Sequence, residues 1–260
     1  MPALRRHRRS LLLLLLAAVV GALPAAAAPA APAPLVLAIS ANAYHSVQGP
    51  WLELIYREAF RRLGRPLRIE VLPSKRASVM ADAGLVDGEL HRAAVYADSH
   101  PQLRRVEVSH FAVQLAAYSQ HPDLTLTAGW DSFNQTRWRV DYILGSAASS
   151  AELTRRVAPA QLSTVTAADL GLRKLMFDRS DVLLAVDLNV DPLLGMPEFR
   201  ASPIRKVAEL QAVPCYPYLH QRHAALVPQL EQVLLQMRQE GLPEQYGRQA
   251  RTQWQADYLR

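Results

Sequence analysis

Leu72-Pro73-Ser74-Lys75-Arg76, followed by Gly84-Leu85-Val86-Asp87-Gly88-Glu89-Leu90-His91-Arg92, decides the reading of this chain. Pro73 starts a short helix over residues 74–83, Gly84 ends it, and residues 86–90 follow as a brief strand. Open α/β sheets keep their ligand sites outside the carboxyl ends of their strands. The turns of this stretch carry two arginines and a glutamate, Arg76, Arg92 and Glu89. A small-molecule-binding protein is the expectation.

Upstream, Leu35-Val36-Leu37-Ala38-Ile39 is a continuous apolar run of the kind buried on both faces of a parallel sheet. Gly49-Pro50 then opens a helix with Leu52, Ile55, Tyr56, Ala59, Phe60 and Leu63 on one stripe, and Gly64 with Pro66 closes it. Residues 67–72 form a second strand, so the first hundred residues read β-α-β-α-β, and right-handed crossovers make that sheet parallel. Residues 105–108 and 111–118 read as further strands, and near Tyr118 the pattern restarts. The second set has strands at 138–144, 162–165 and 181–188. Its helix starts lie at Ser149, with Glu152 completing a capping box, and at Thr166-Ala167-Ala168-Asp169. A closing helix carries Leu226, Leu230, Val233, Leu234 and Met237 and ends at Gly241.

The N-terminus has Arg5, Arg6, Arg8 and Arg9, then an apolar stretch over residues 11–20 and the small residues Ala25-Ala26-Ala27-Ala28. That reads as a signal peptide over residues 1–28, with residues 29–34 as a Pro/Ala tether, and an exported, periplasmic mature chain is the expectation. The apolar core up to Leu23 is shorter than the roughly 20 residues a membrane span requires. With the four leader arginines taken from 29 basic residues, 25 remain against 23 acidic ones, which offers no support for nucleic-acid binding. The single cysteine, Cys215, makes no internal disulfide, and its Val213-Pro214-Cys215-Tyr216-Pro217 context supplies no base to activate it.

In the order of these elements the chain resembles the periplasmic solute-binding proteins of family 3, the receptors of polar-solute ABC importers, from about Leu35 to Trp254. The resemblance is carried by the aromatic start around Tyr44, the Gly-x-x-Asp-Gly turn at residues 84–88, the Val106-Glu107-Val108-Ser109 segment and the Gly145-Ser146 helix entry. The Arg179-Ser180-Asp181 strand and the final amphipathic helix fit as well. It implies a type II periplasmic-binding-protein-like α/β fold, two Rossmann-like lobes with a hinged cleft between them. Lobe 1 would hold residues 35–116 plus 210–260 and lobe 2 residues 117–209, with hinge crossings near Ala117 and Glu209. The chain departs from the family's amino-acid receptors where their carboxylate-clamping Arg belongs, since Ser99-His100-Pro101-Gln102-Leu103 has none, and their late aspartate lies one residue from Asp187. Those departures speak against a standard amino acid and place the chain in a divergent branch.

Five residues are candidates for ligand contact. Arg92 reads either as a fork for an anionic group or as the salt-bridge partner of Glu89 or Asp87, and Glu89 as a ligand contact or as the holder of Arg92. Arg76 lies in the first turns of a helix, where solvent is the competing partner. Tyr44, after the first strand, supplies either a covering aromatic face or core packing. Ser146 binds ligand oxygen at the helix entry or caps the helix. Neither a nucleophile elbow nor a phosphate-cradling loop occurs, and His220 with His223 lacks a nearby carboxylate to complete a metal set. No catalytic residue, metal or cofactor is expected. The chain reads as a non-enzymatic monomer that captures a small polar solute, amino-acid-like or another anionic metabolite, for an ABC permease. The alternatives are a sensory module for a membrane signalling partner, or a dehydratase-like enzyme using Glu89.

Overall fold

The computed structural model describes residues 33–258, so the expected signal peptide and all but the last two residues of the tether lie outside the described residues. In chain order the elements are β1 (Leu35–Ser40), α1 (Ala41–Tyr44), α2 (Gln48–Arg62), β2 (Leu67–Leu72), α3 (Ser74–Asp82), β3 (Gly88–Ala93), β4 (Leu103–Arg105) and β5 (Phe111–Ser119). They continue with β6 (Val140–Ile143), α4 (Ala147–Leu153), β7 (Leu162–Val165), α5 (Ala168–Met176), β8 (Val182–Val186), α6 (Asp187–Leu194), β9 (Arg205–His220), α7 (Val227–Gln239) and α8 (Leu242–Tyr258).

All nine strands join one mixed sheet in the order β2-β1-β3-β9-β5-β8-β6-β7, with β4 also on β9. The apolar β1 runs parallel to β2 and β3, as the alternating β/α pattern requires, and β6 runs parallel to β7 and β8. Between these two parallel sets lie β5 and β9, antiparallel to each other in a register that sets Ala117 opposite Ala208 and Ala116 opposite Glu209. β9 is also antiparallel to β3, and β5 to β8. The fold is therefore α/β with parallel sets on either side of two long antiparallel strands.

Each set has its own packed core. In the first, Leu37 and Ile39 of β1 meet Leu52, Ile55, Tyr56 and Phe60 of α2 and Leu230 and Met237 of α7. Ala38 faces Ala77 and Ala81 of α3 in a second cluster on the other side of the sheet. In the second set, Leu183 and Ala185 of β8 pack on Leu172 and Leu175 of α5, while Val182 and Leu184 meet Phe133, Val140 and Leu153. Each fully buried aliphatic or aromatic side chain contributes about 1.5–3 kcal/mol. α8 docks because Trp51 of α2 donates its indole N–H to the Pro243 carbonyl at 2.7 Å, and Gly247 leaves room for the ring.

Several local expectations need correction. β3 starts at Gly88 instead of Val86, because Asp87 closes the turn: its carboxylate accepts from Val36 N–H at 2.7 Å. Glu89 and Arg92 thus lie inside the strand, separated by a bulge against β9, with Arg92 opposite Tyr216. The capping box at Ser149 and Glu152 does not form, since α4 begins earlier and Ser146 is its cap, accepting from Ser149 N–H at 3.4 Å. α5 starts at Ala168 without a side-chain cap. The strand placed at 105–108 is the shorter β4, ending at Arg105, and Asp187 opens α6 instead of continuing β8. Among the described residues no helix is long and apolar enough to cross a membrane.

Candidate functional site

β1, β3, β6 and β8 all deliver their carboxyl ends to one cavity of about 110 Å³. Ser40, His91, Arg92 and Ala93 reach it from the first set, and Ile143, Leu144, Gly145, Ser146 and Val186 from the second. Val113 and Leu115 of β5 with Val213 and Cys215 of β9 line it between them. Two contacts cross it. Gln48 of α2 donates to the Asn189 side chain of α6, both of them buried. Gly145, at φ +86°, comes so close to Ser74 that an added Cβ would lie 2.5 Å from the serine hydroxyl. Only a residue without a side chain combines that left-handed turn with that approach.

Arg92 is held from several directions. Its Nε donates to Glu89 Oε2 at 2.7 Å, Nη1 to Ser74 Oγ at 2.9 Å, and Nη2 to the Ser74 carbonyl at 3.1 Å and Ser78 Oγ at 3.2 Å. Nη2 also pairs with Glu89, and the guanidinium lies 4.9 Å from the Tyr96 ring centre. Glu89 is 1% exposed and receives the Tyr96 hydroxyl on its other oxygen. The structure thus forms the Arg92–Glu89 pair. A guanidinium carries five donors, so one Nη1 hydrogen of Arg92, a cavity-lining residue, has no acceptor among the described residues.

The other candidates are distributed differently. Ser146 lines the cavity and caps α4 at once. Glu89 lies behind Arg92 and does not line the cavity. Tyr44 packs at the margin of the first core, edge-on to His45 at 5.5 Å, and Arg76 is exposed on α3; neither is among the lining residues. Cys215 is buried at the cavity wall, and burial pushes its thiol up to about 12, which leaves it no thiolate character. No Asp or Glu lines the cavity. Asp187, near the position of the receptors' late aspartate, bonds the Leu188 N–H at 2.7 Å and faces Lys206 at 3.8 Å.

Sequence reasoning passed over His91. Its Nδ1 lies 2.8 Å from His110 Nε2, and His110 Nδ1 lies 2.8 Å from the Tyr56 hydroxyl. Burial first and the Arg92 charge second hold His91 down to about 3, and burial with the neighbouring His91 holds His110 well below the usual imidazole range. Both rings are therefore neutral at ordinary pH. Tyr56 on the α2 stripe read simply as core, and nothing in the spacing of residues 56, 91 and 110 announces the chain of contacts.

No family model matches the chain. A Shewanella oneidensis protein described only as uncharacterised is 33% identical over 221 residues, covering 85% of this chain and 83% of its own. Among solved structures, a histidine kinase sensor domain with similarity to periplasmic binding proteins superposes with a TM-score of 0.68 at 16% identity, over 86% of this chain and 96% of its own. An ancestral arginine-binding protein bound to glutamine gives 0.65 at 11% identity, over 83% and 97%. An amino acid ABC transporter substrate-binding protein from Streptococcus pneumoniae bound to L-arginine gives 0.63 at 13% identity, over 84% and 93%. These likenesses establish a type II periplasmic-binding-protein fold, and the chain belongs to one family with the Shewanella oneidensis protein.

Proposed function

We propose that this protein is an exported, periplasmic solute-binding protein, a divergent relative of family 3, that captures a small polar solute for an ABC importer. The observation that supports this most strongly is the cavity at the carboxyl ends of strands from both parallel sets, bridged by Gln48 and Asn189. In this reading residues 35–116 with 210–260 and residues 117–209 act as two lobes, and β5 and β9 bend where Ala117 meets Ala208. Arg92 and Ser146 contact the solute, Glu89 holds Arg92, and Tyr44 and Arg76 lie outside the cavity lining. Because the Arg92 charge is already matched by Glu89, the solute is recognised by directed hydrogen bonds more than by net charge.

Thermal-shift screening of the mature protein against a metabolite library identifies the solute. A ligand at about 100 times its dissociation constant stabilises the fold by about 2.7 kcal/mol. Small-angle scattering should then show a smaller radius of gyration at saturation than without ligand. A radius that stays fixed while the melting point rises refutes hinge closure.

A sensory role for the same site is the second reading, favoured by the likeness to the histidine kinase sensor domain. Cross-linking in the native envelope separates the two: the captured partner is a permease for transport and a kinase or other signalling receptor for sensing.

A further inference from the structure

Tyr56 is fully buried, and among the described residues its hydroxyl has one hydrogen-bond partner, His110 Nδ1 at 2.8 Å. If that hydroxyl accepted from the ring, its own hydrogen would be sealed in the core without an acceptor, which buried donors avoid. The hydroxyl therefore donates. A neutral imidazole has one donor nitrogen and one acceptor. His110, accepting at Nδ1, must carry its hydrogen on Nε2 and donate it to His91 Nδ1, 2.8 Å away. His91 in turn must carry its hydrogen on Nε2, which has no protein partner among the described residues and belongs to a side chain lining the cavity. The same wall offers the spare Nη1 hydrogen of Arg92.

Accepting groups of full charge are missing there. No carboxylate lines the cavity, and Glu89 behind it is occupied by Arg92 and Tyr96. An ammonium group would enter without a free counter-charge, because no carboxylate lines the cavity and Glu89 behind it is already paired, at a heavy desolvation cost. The cavity of about 110 Å³ suits a small solute.

We infer that Tyr56 and His110 fix His91 as an N–H donor into the cavity, and that the solute is a short carboxylic or carbonyl compound without an amino group. The inference rests on the solute-binding reading above and deepens it. His91 contacts the solute, whereas Tyr56 and His110 are positioning residues that act through its tautomer.

Two measurements test it. Long-range proton–nitrogen correlation spectra of the histidine rings, recorded on the unliganded mature protein at neutral pH, should show His91 protonated at Nε2 and bare at Nδ1. In Tyr56→Phe the same spectra should show both tautomers, while His91→Phe leaves His110 neutral. A wild-type His91 carrying its hydrogen on Nδ1 overturns the proton order and leaves the binding reading intact. The second measurement is a thermal-shift and calorimetric panel of propionate, lactate and pyruvate, each with its amide, against alanine and serine. The acids or their amides should bind the wild type, alanine and serine at least tenfold more weakly, and His91→Phe should lose at least tenfold for every binder. Preference of the acid over its amide identifies a carboxylate, and equal binding identifies a carbonyl. Alanine or serine binding as tightly as lactate, or no panel member binding while a broader library yields a hit, overturns the ligand class but leaves solute binding standing. No hit in either collection refutes both.

Discussion

Removing the Arg92 side chain should be felt in stability before it is felt in binding. Arg92→Ala strips Glu89 of its cationic partner at a site that is 1% exposed, leaving the carboxylate with the Tyr96 hydroxyl alone. Breaking a buried pair from one side costs about 3–5 kcal/mol, since the remaining charge keeps its desolvation penalty. The contacts to Ser74 and Ser78 are also lost, but these serines lie in the first two turns of α3, where water can replace the guanidinium. At about 2–4 °C per kcal/mol for a chain of this size, the melting temperature should fall by about 6–20 °C. The double variant Glu89→Leu with Arg92→Met removes both charges and should recover most of the loss, because replacing a buried pair with apolar side chains is often nearly neutral. Denaturant melts of both single variants and the double provide the cycle. An Arg92→Ala protein that melts with the wild type would refute the buried pair as a structural unit and return Arg92 to the role of a free ligand clamp.

Two further outcomes concern other parts of the fold. Burial alone would raise the Asp181 carboxyl, but Arg139 side-chain and backbone N–H groups and His121 outweigh it and hold the group at about 2, below the unfolded value of about 3.9. A depressed native value stabilises above about pH 4 and is lost as pH falls through about 2, so Asp181→Asn should flatten the acid limb of a stability-against-pH curve in that window; an unchanged limb refutes it. At Gly88 an added Cβ would stand 2.0 Å from the Tyr218 carbonyl oxygen, so Gly88→Ala must part β3 from β9 and should cost about 3 kcal/mol in a urea melt, against no cost if the strands give way freely.

The parallel strand sets and α2 were legible because their signal is local: an apolar run for β1, a stripe at helical spacing for α2, glycine stops between them. β9 escaped for an equally physical reason. Its Pro214 and Pro217 argue against a central strand, yet β9 passes from β5 to β3 and β4 around these residues, and Pro217 needs only its carbonyl, which accepts from Val106 N–H at 3.0 Å. α8 was missed because Gly241 does end α7, at φ +72°, and Pro243 with Glu244, a helix start of the kind read at Pro73, was passed over in the polar run after it. In the site, Ser146 and Arg92 could be found from their places beside turns. His91 could not, because what singles it out is a contact with His110, nineteen residues away on the far side of β4, and through it with Tyr56 in another element.

The last two helices supply side chains to the core that the first strand and α2 begin. Leu226, Leu230, Val233, Leu234, Met237 and Ala250 belong to the same cluster as Leu35, Leu37 and Ile39. β1 and α2 can begin this core between themselves, but it closes only when residues 226–250 arrive. Such long-range closure slows folding, while β6, β7 and β8 with α5 already have their partners near at hand in sequence. A chain ordered in this way completes the core of its first parallel set only after that of its second.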